Sequence, residues 1–129
     1  MKKLTMTRKE LENFAVKALG IKHGALRRMS TLFLSQLLQM NLSGRDEVDE
    51  MVSEIAYLED QYQSMRTDRA FNPRNGKQLD AWIVFKRYNG SNYYLTLANT
   101  GEGEWHINQR LHDAYALDFP FLEERHRLN

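Results

Sequence analysis

The sequence contains no cysteine, only two prolines, and no apolar run approaching the roughly 18 residues that a membrane-spanning helix needs. The absence of cysteine excludes disulfides, cysteine nucleophiles and thiolate metal ligands. The first residues, MKKLTMTRKELENF, lack the apolar segment of a secretory signal. We therefore expect a cytoplasmic protein without a membrane partner.

Patterns that mark common catalytic and cofactor sites are also missing. The four histidines form no HExxH motif, and no serine lies in a GxSxG turn. The glycines within 99–103 are not followed by Gly-Lys-Ser/Thr, so they do not form a phosphate-binding loop. We predict no catalytic residue, no metal site and no cofactor, and the sequence favours a non-enzymatic function.

Charge is nearly balanced overall, with a formal net charge of +1, but it is strongly segregated along the chain. Residues 1–45 hold nine Lys/Arg and two Asp/Glu, whereas residues 46–65 hold seven Asp/Glu and no Lys/Arg. Residues 66–87 are again basic, and residues 88–129 are acidic. Alternating blocks indicate complementary surfaces within or between chains more than one long nucleic-acid footprint.

Two helices are predicted in the basic first block. Thr7 and Glu10 have the spacing of a capping box, and Gly20 is placed to end the helix that Thr7 begins. A second helix is predicted over residues 25–42. Its apolar residues extend well beyond one stripe, which is typical of a helix that packs on two sides.

A third helix is predicted from Asp46 to about Met65, with acidic residues in its first turns. Its apolar residues follow a heptad spacing and are Val48, Met51, Ile55, Leu58, Tyr62 and Met65. Two interpretations remain open at this point. The heptad pattern forms either a dimeric coiled coil or a packing face for the second helix of the same chain.

Residues 81–98 read as a β-hairpin around an Asn89-Gly90 turn, because both central positions of a type I′ turn require positive φ. The turn predicts that Tyr88 pairs with Ser91. Continued outward, the predicted pairs are Arg87–Asn92, Lys86–Tyr93, Phe85–Tyr94, Val84–Leu95, Ile83–Thr96 and Trp82–Leu97.

Both faces of this hairpin are apolar. We predict that the core face carries Trp82, Val84, Lys86, Tyr88, Tyr93, Leu95 and Leu97. The opposite face carries Ala81, Ile83, Phe85, Arg87, Tyr94, Thr96 and Ala98. Because the second face is half apolar and ends in charged and polar residues, we interpret it as a protein-binding surface. The residues predicted to bind a partner there are Ile83, Phe85, Arg87 and Tyr94.

A basic linker, residues 66–80, precedes the hairpin and contains the turn signals Asn72-Pro73 and Asn75-Gly76. A nucleic-acid site here would use Arg66, Arg69, Arg74, Lys77, Lys86 and Arg87. A metal-independent ribonuclease would need a phosphate clamp and a proton donor. Residue types suited to that chemistry are Lys86, Arg87, Tyr93, Tyr94, His106 and Arg110.

After the hairpin, residues 104–107 are predicted as a short third strand. Asn108 is predicted to cap a helix that ends near Leu117 and directs Leu111, Ala114 and Tyr115 inward. Regular structure is expected to end at 118–122, where two phenylalanines flank a proline and dock as an apolar plug. The last seven residues are expected to be a frayed tail.

Together these patterns predict an α+β fold in a single domain, 1–129. Three amino-terminal helices, within residues 1–66, pack on a small antiparallel sheet; residues 78–129 add the hairpin, a short helix and the apolar tail. The function predicted is a small regulatory or inhibitor-type module that binds another protein or forms a homodimer. The alternative is an RNA-binding protein or ribonuclease.

Overall fold

The computed structural model describes residues 5–61, 70–71 and 81–127. In chain order the elements are helices α1 (Arg8–Leu19), α2 (His23–Leu26), α3 (Thr31–Leu42) and α4 (Glu47–Gln61), strands β1 (Ala70–Phe71), β2 (Ala81–Tyr88) and β3 (Ser91–Asn99), and helices α5 (Glu104–Leu117) and α6 (Pro120–Arg127). The strands form one antiparallel sheet in the order β1–β2–β3. The predicted α+β class is therefore confirmed.

Helix α1 begins and ends as predicted. The Thr7 side chain accepts a hydrogen bond from the Glu10 backbone N–H, and the Glu10 carboxylate accepts one from the Thr7 N–H. Gly20 ends the helix in the left-handed region, at a φ of 71°. Leu11 and Ala15 are buried, so α1 packs its apolar stripe into the core.

The predicted helix over 25–42 is wrong in one respect, because the structure divides it into α2 and α3. Ser30 lies at the break, where its Oγ accepts a hydrogen bond from the Phe33 N–H at 2.9 Å and donates one to the Leu95 carbonyl at 2.6 Å. Met29 forms a backbone bridge to Tyr94. Pairing with β3 and a serine cap thus interrupt a segment whose apolar pattern runs on unbroken.

The heptad pattern of α4 packs within the chain over its described part. Val48, Met51, Ile55 and Leu58 are all buried in the same cluster as α1 and α3. The last two positions of the pattern, Tyr62 and Met65, lie outside the described residues. Over the described part, burial within one chain supports the intramolecular interpretation.

The hairpin turn has the predicted geometry, with φ of 51° at Asn89 and 79° at Gly90. The four predicted pairs nearest the turn, from Tyr88–Ser91 to Phe85–Tyr94, are confirmed. Beyond them β3 contains a bulge, so that Val84 pairs with Thr96 instead of Leu95. The outer predicted pairs are therefore wrong by one residue, and the observed pairs are Ile83–Leu97, Trp82–Ala98 and Ala81–Asn99.

The bulge exchanges the faces of the residues that follow it, since side chains alternate along a strand. Leu97, predicted on the face of Trp82, instead joins the main core with Ile83. Thr96 turns toward α5, where its Oγ1 accepts a hydrogen bond from Arg110 Nε at 3.1 Å. Because of this one extra residue in β3, Leu97 faces the main core and Thr96 faces α5.

The predicted assignment of the two hairpin faces is also wrong. Ile83, Phe85 and Tyr94 are each 0% exposed and belong to the main core with α1, α3 and α4. The helical layer is mainly aliphatic and covers these three side chains completely. The opposite face packs against α5 and α6 through a smaller cluster: Leu95, Ala114, Phe119 and Leu122.

The outer edge of β3 is occupied by groups from the helical layer. Tyr94 donates its N–H to the Arg28 carbonyl at 2.7 Å and accepts from the Ser30 N–H at 2.9 Å. Further along, the Gln36 side chain accepts from the Leu97 N–H at 2.7 Å and donates to the Leu97 carbonyl at 3.0 Å. The edge hydrogen bonds of these two residues are therefore filled from within the chain.

The carboxy-terminal elements differ from the prediction in two places. Residues 104–107 are the first turn of α5 and not a strand, and the helix is capped by Gly103 rather than Asn108. Pro120 begins α6 instead of ending regular structure, as its fixed φ suits a first helical position. The inward positions of α5 are confirmed, with Ala114 buried and Leu111 and Tyr115 packed against the smaller cluster.

The predicted linker contains one described element, strand β1, which pairs with Ile83 and Val84 of β2. Its basic residues Arg66, Arg69, Arg74 and Lys77 lie outside the described residues. None of the helices in the described part of the chain is long and apolar enough to cross a membrane.

Candidate interaction site at the hairpin tip

Four aromatic side chains meet at the tip of the hairpin on the face that α5 and α6 cover. Tyr88 and Tyr93 come from the strands beside the Asn89-Gly90 turn. Phe119 and Phe121 come from the connection between α5 and α6 and from the first turn of α6. We call these four residues the tip cluster.

The rings of the tip cluster pack mostly edge to face. Tyr93 lies 5.1 Å from Phe119 and 5.4 Å from Phe121 between ring centroids, at interplanar angles of 72° and 76°. Tyr88 lies 5.2 Å from Phe121 and 6.4 Å from Tyr93. These separations are those of favourable aromatic pairs, so the cluster is a packed unit.

The tip cluster is anchored on its inner side and open on its outer side. Phe119 is buried, both tyrosines are half-buried, and Phe121 is 37% exposed. Lys86 borders the cluster as the cross-strand partner of Tyr93, and its Nζ lies 5.9 Å from the centroid of the Tyr115 ring on α5. The result is a partly exposed aromatic surface with a cation at its border.

The connection between α5 and α6, next to the two phenylalanines, is tied to the helical layer. The Asp118 carboxylate accepts hydrogen bonds from the Thr31 N–H at 3.2 Å and from the Thr31 Oγ1 at 3.0 Å. Arg8 Nη1 lies 3.7 Å from the same carboxylate. On the other side, His112 Nδ1 is 2.9 Å from Glu123 and links α5 to α6. The tip cluster is therefore held in place before any partner binds.

Three of the four residues predicted to bind a protein are not available at the surface. Ile83, Phe85 and Tyr94 lie in the main core. The face that they occupy is therefore not open at these positions, contrary to the prediction from the sequence. The Tyr94 hydroxyl donates a hydrogen bond to Glu59 Oε2 at 2.5 Å. Burial, together with this carboxylate, raises the pKa of Tyr94 well above its ordinary value. Arg87 is half-buried at the edge of this face.

The residues suggested for RNA cleavage do not converge on one site. Tyr94 lies on the main core face, whereas Lys86 and Tyr93 lie on the opposite one. Arg110 donates to Glu102, to Thr96 Oγ1 and to the Leu97 carbonyl. That ion pair is the main reason that the pKa of Glu102 is lowered. The Arg110 guanidinium is thus committed to the fold, while His106 is exposed beside Trp105.

Within the described ranges, no group of three His, Asp or Glu side chains is close enough to hold a metal ion. Comparison of the chain with family models, with curated proteins and with solved structures gave no match. The tip cluster is therefore interpreted from its own geometry.

The sequence patterns predict where the residues of the tip cluster lie but not that their side chains contact one another. The shared face of Tyr88 and Tyr93 followed from the turn, and the docking of the two phenylalanines followed from their apolar character. Their contact depends on α5 lying across β3, which no local pattern specifies. Aromatic residues on both sides of an Asn-Gly turn were the available signal.

Proposed function

We propose that this chain is a small cytoplasmic protein-binding module of the regulatory or inhibitor type, and that the tip cluster is its docking surface. The observation that carries the proposal is the packed aromatic cluster, open at Phe121 and bordered by Lys86. Aromatic residues dominate the energetics of protein interfaces, and rigid ones lose little conformational entropy on binding. The partner is a different protein with an apolar patch and a carboxylate at its border.

Ring geometry favours a protein over single-stranded RNA as the occupant. A base stacks on an open, flat aromatic face. Tyr93 is half-buried and has three neighbouring rings packed against it at interplanar angles of 67°, 72° and 76°, so part of its ring surface is already covered within the cluster. Ring edges and tyrosine hydroxyls at a half-buried surface suit the apolar and polar contacts of a protein interface.

The positive charge of Lys86 favours a different protein, rather than a second copy of this chain, as the partner of the tip cluster. In a symmetric dimer each residue of the patch faces the same patch on the other subunit. A two-fold axis through the tip cluster would place two Lys86 ammonium groups in one interface, and the four residues of the cluster supply no carboxylate to pair with them. A partner protein that supplies a carboxylate can pair with Lys86.

The experiment is site-specific photocrosslinking in cells that naturally express the chain, with p-benzoylphenylalanine in place of Phe121. A matched control carries the same group in place of Trp105, which is 66% exposed on α5. We expect one discrete protein adduct from position 121 and none of that mass from position 105. The adduct should disappear when Tyr88→Ser is added.

The crosslinked protein is then purified and its affinity measured directly. Tyr88→Ser should weaken binding by about thirtyfold, the loss expected for one interface hot spot, and Trp105→Ser should leave it unchanged. An RNA adduct, a dimer of this chain, or equal affinity for wild type and Tyr88→Ser would each overturn the proposal.

A further inference from the structure

A second surface feature is a cleft of about 340 Å³ between α4 and the connection from α1 to α2. It lies on the helical layer, on elements that contribute nothing to the tip cluster. Its apolar wall consists of Ile21, Ala25, Val52, Ile55 and Ala56. Its polar lining includes Lys22, Arg28, Glu59 and Asp60. A volume of this size is within the range of small-molecule sites.

The carboxylates of the cleft are already engaged. Glu59 Oε1 lies 2.5 Å from Arg28 Nη2, and Glu59 Oε2 accepts from the Tyr94 hydroxyl at 2.5 Å. Asp60 also has a partner within the chain. Neither carboxylate of the cleft is therefore without a partner in the chain.

The two cationic side chains of the cleft have N–H groups that no hydrogen bond within the described part of the chain uses. Arg28 donates through Nε to the Asn92 carbonyl, through Nη1 to the Gly24 carbonyl and through Nη2 to Glu59. A guanidinium has five N–H groups, so two remain for a ligand. The Lys22 ammonium is exposed and forms no hydrogen bond or ion pair with the described part of the chain.

We propose that this cleft binds a small organic carboxylate that has an apolar body. The carboxylate accepts from Lys22 and from the remaining Arg28 donors, and the apolar body lies against Ile21, Val52 and Ile55. A guanidinium and an ammonium that line the same cleft can bind one carboxylate together, and charge-assisted hydrogen bonds are the stronger ones. This site is independent of the proposed protein partner.

The experiment is a titration of the pure, isotope-labelled protein followed by amide chemical shifts. The probe is 4-phenylbutanoate, and its neutral and cationic counterparts are 4-phenylbutanamide and 4-phenylbutylamine. We expect saturable shifts at Gly20, Lys22, Gly24 and Ala56 with the carboxylate, and at least about tenfold weaker binding of the other two.

Two variants test the assignment of the head group and of the body. Lys22→Gln should weaken 4-phenylbutanoate about tenfold, the loss expected for one charge-assisted contact, and its matched control Lys17→Gln on exposed α1 surface should not. Ala56→Leu should block the cleft while the remaining spectrum shows an intact fold.

Equal or tighter binding of the amine would overturn the proposal, as would full affinity in Lys22→Gln or the absence of saturable shifts at the cleft. None of these outcomes bears on the tip cluster, because the titration contains no protein partner.

Discussion

The two faces of the hairpin are apolar to a similar degree in sequence, but they are buried in different ways. On one face, the side chains of Phe85 and Tyr94 lie under a layer of helices and are completely enclosed. The face of Tyr88 and Tyr93 lies under the two carboxy-terminal helices, and part of its aromatic surface stays open. The size of the covering layer therefore decides which face is core and which is available for binding.

The largest expected contrast comes from removing one phenylalanine from each face. Phe85→Ala should lower the free energy of unfolding by about 3–5 kcal/mol, since it leaves a cavity in an enclosed core. Phe121→Ala should lower it by about 1 kcal/mol or less, because that ring is 37% exposed. Urea unfolding of both variants measures the difference, and equal losses would show that the two faces are equally buried.

The turn that joins the two strands gives the next largest effect. Gly90 has a φ of 79°, and a β-branched residue is strained in that region. Gly90→Val should cost about 1–2 kcal/mol or more, although the space around the position is open apart from Arg87. A thermal melt compared with that of Gly24→Ala provides the check. An unchanged melting temperature would contradict the type I′ turn.

Removing the hydrogen bond between the Tyr94 hydroxyl and Glu59 should destabilise the protein less than the preceding substitution, and the loss should depend on pH. Tyr94→Phe should cost about 1 kcal/mol, the usual value of one hydrogen bond. Because the folded-state pKa of Tyr94 is raised, its contribution is present below the unfolded value of 10.0 and is lost as pH rises above it. Unfolding between pH 8 and 11 should show a steeper decline for wild type than for Tyr94→Phe.

The ion pair of the other face should respond at the opposite end of the pH scale. The pKa of Glu102 is lowered from 4.5, so its contribution is present above that value and is lost as pH falls through the folded-state pKa. The stability difference between wild type and Glu102→Gln should therefore be constant near neutral pH and shrink in acid. A difference that grows below pH 4.5 would contradict the Arg110 ion pair.

Local chemistry was sufficient to predict the features that depend on a few neighbouring residues. The capping box of α1 and the turn at Asn89-Gly90 are of this kind, and so are the four hairpin pairs next to the turn. In each, side-chain hydrogen bonding or backbone φ fixes the geometry without help from distant residues.

The errors lie where distant residues decide the structure. The break at Ser30 depends on Leu95, 65 positions later, and the bulge in β3 lies where that strand meets Arg110 and Gln36. The exchange of the two faces has the same origin, because alternation shows that both are apolar but not which layer covers each. Three of the predicted binding residues, Ile83, Phe85 and Tyr94, lie in the main core for this reason.

The filled edge of β3 has a consequence for how the protein behaves at high concentration. An uncovered strand edge is a template on which another chain can add a strand, and such addition leads to aggregates. The Gln36 carboxamide and the Arg28–Ser30 backbone already occupy the positions at Tyr94 and Leu97 that an incoming strand would need. Growth of the sheet by strand addition is blocked at these positions even when the chain is crowded.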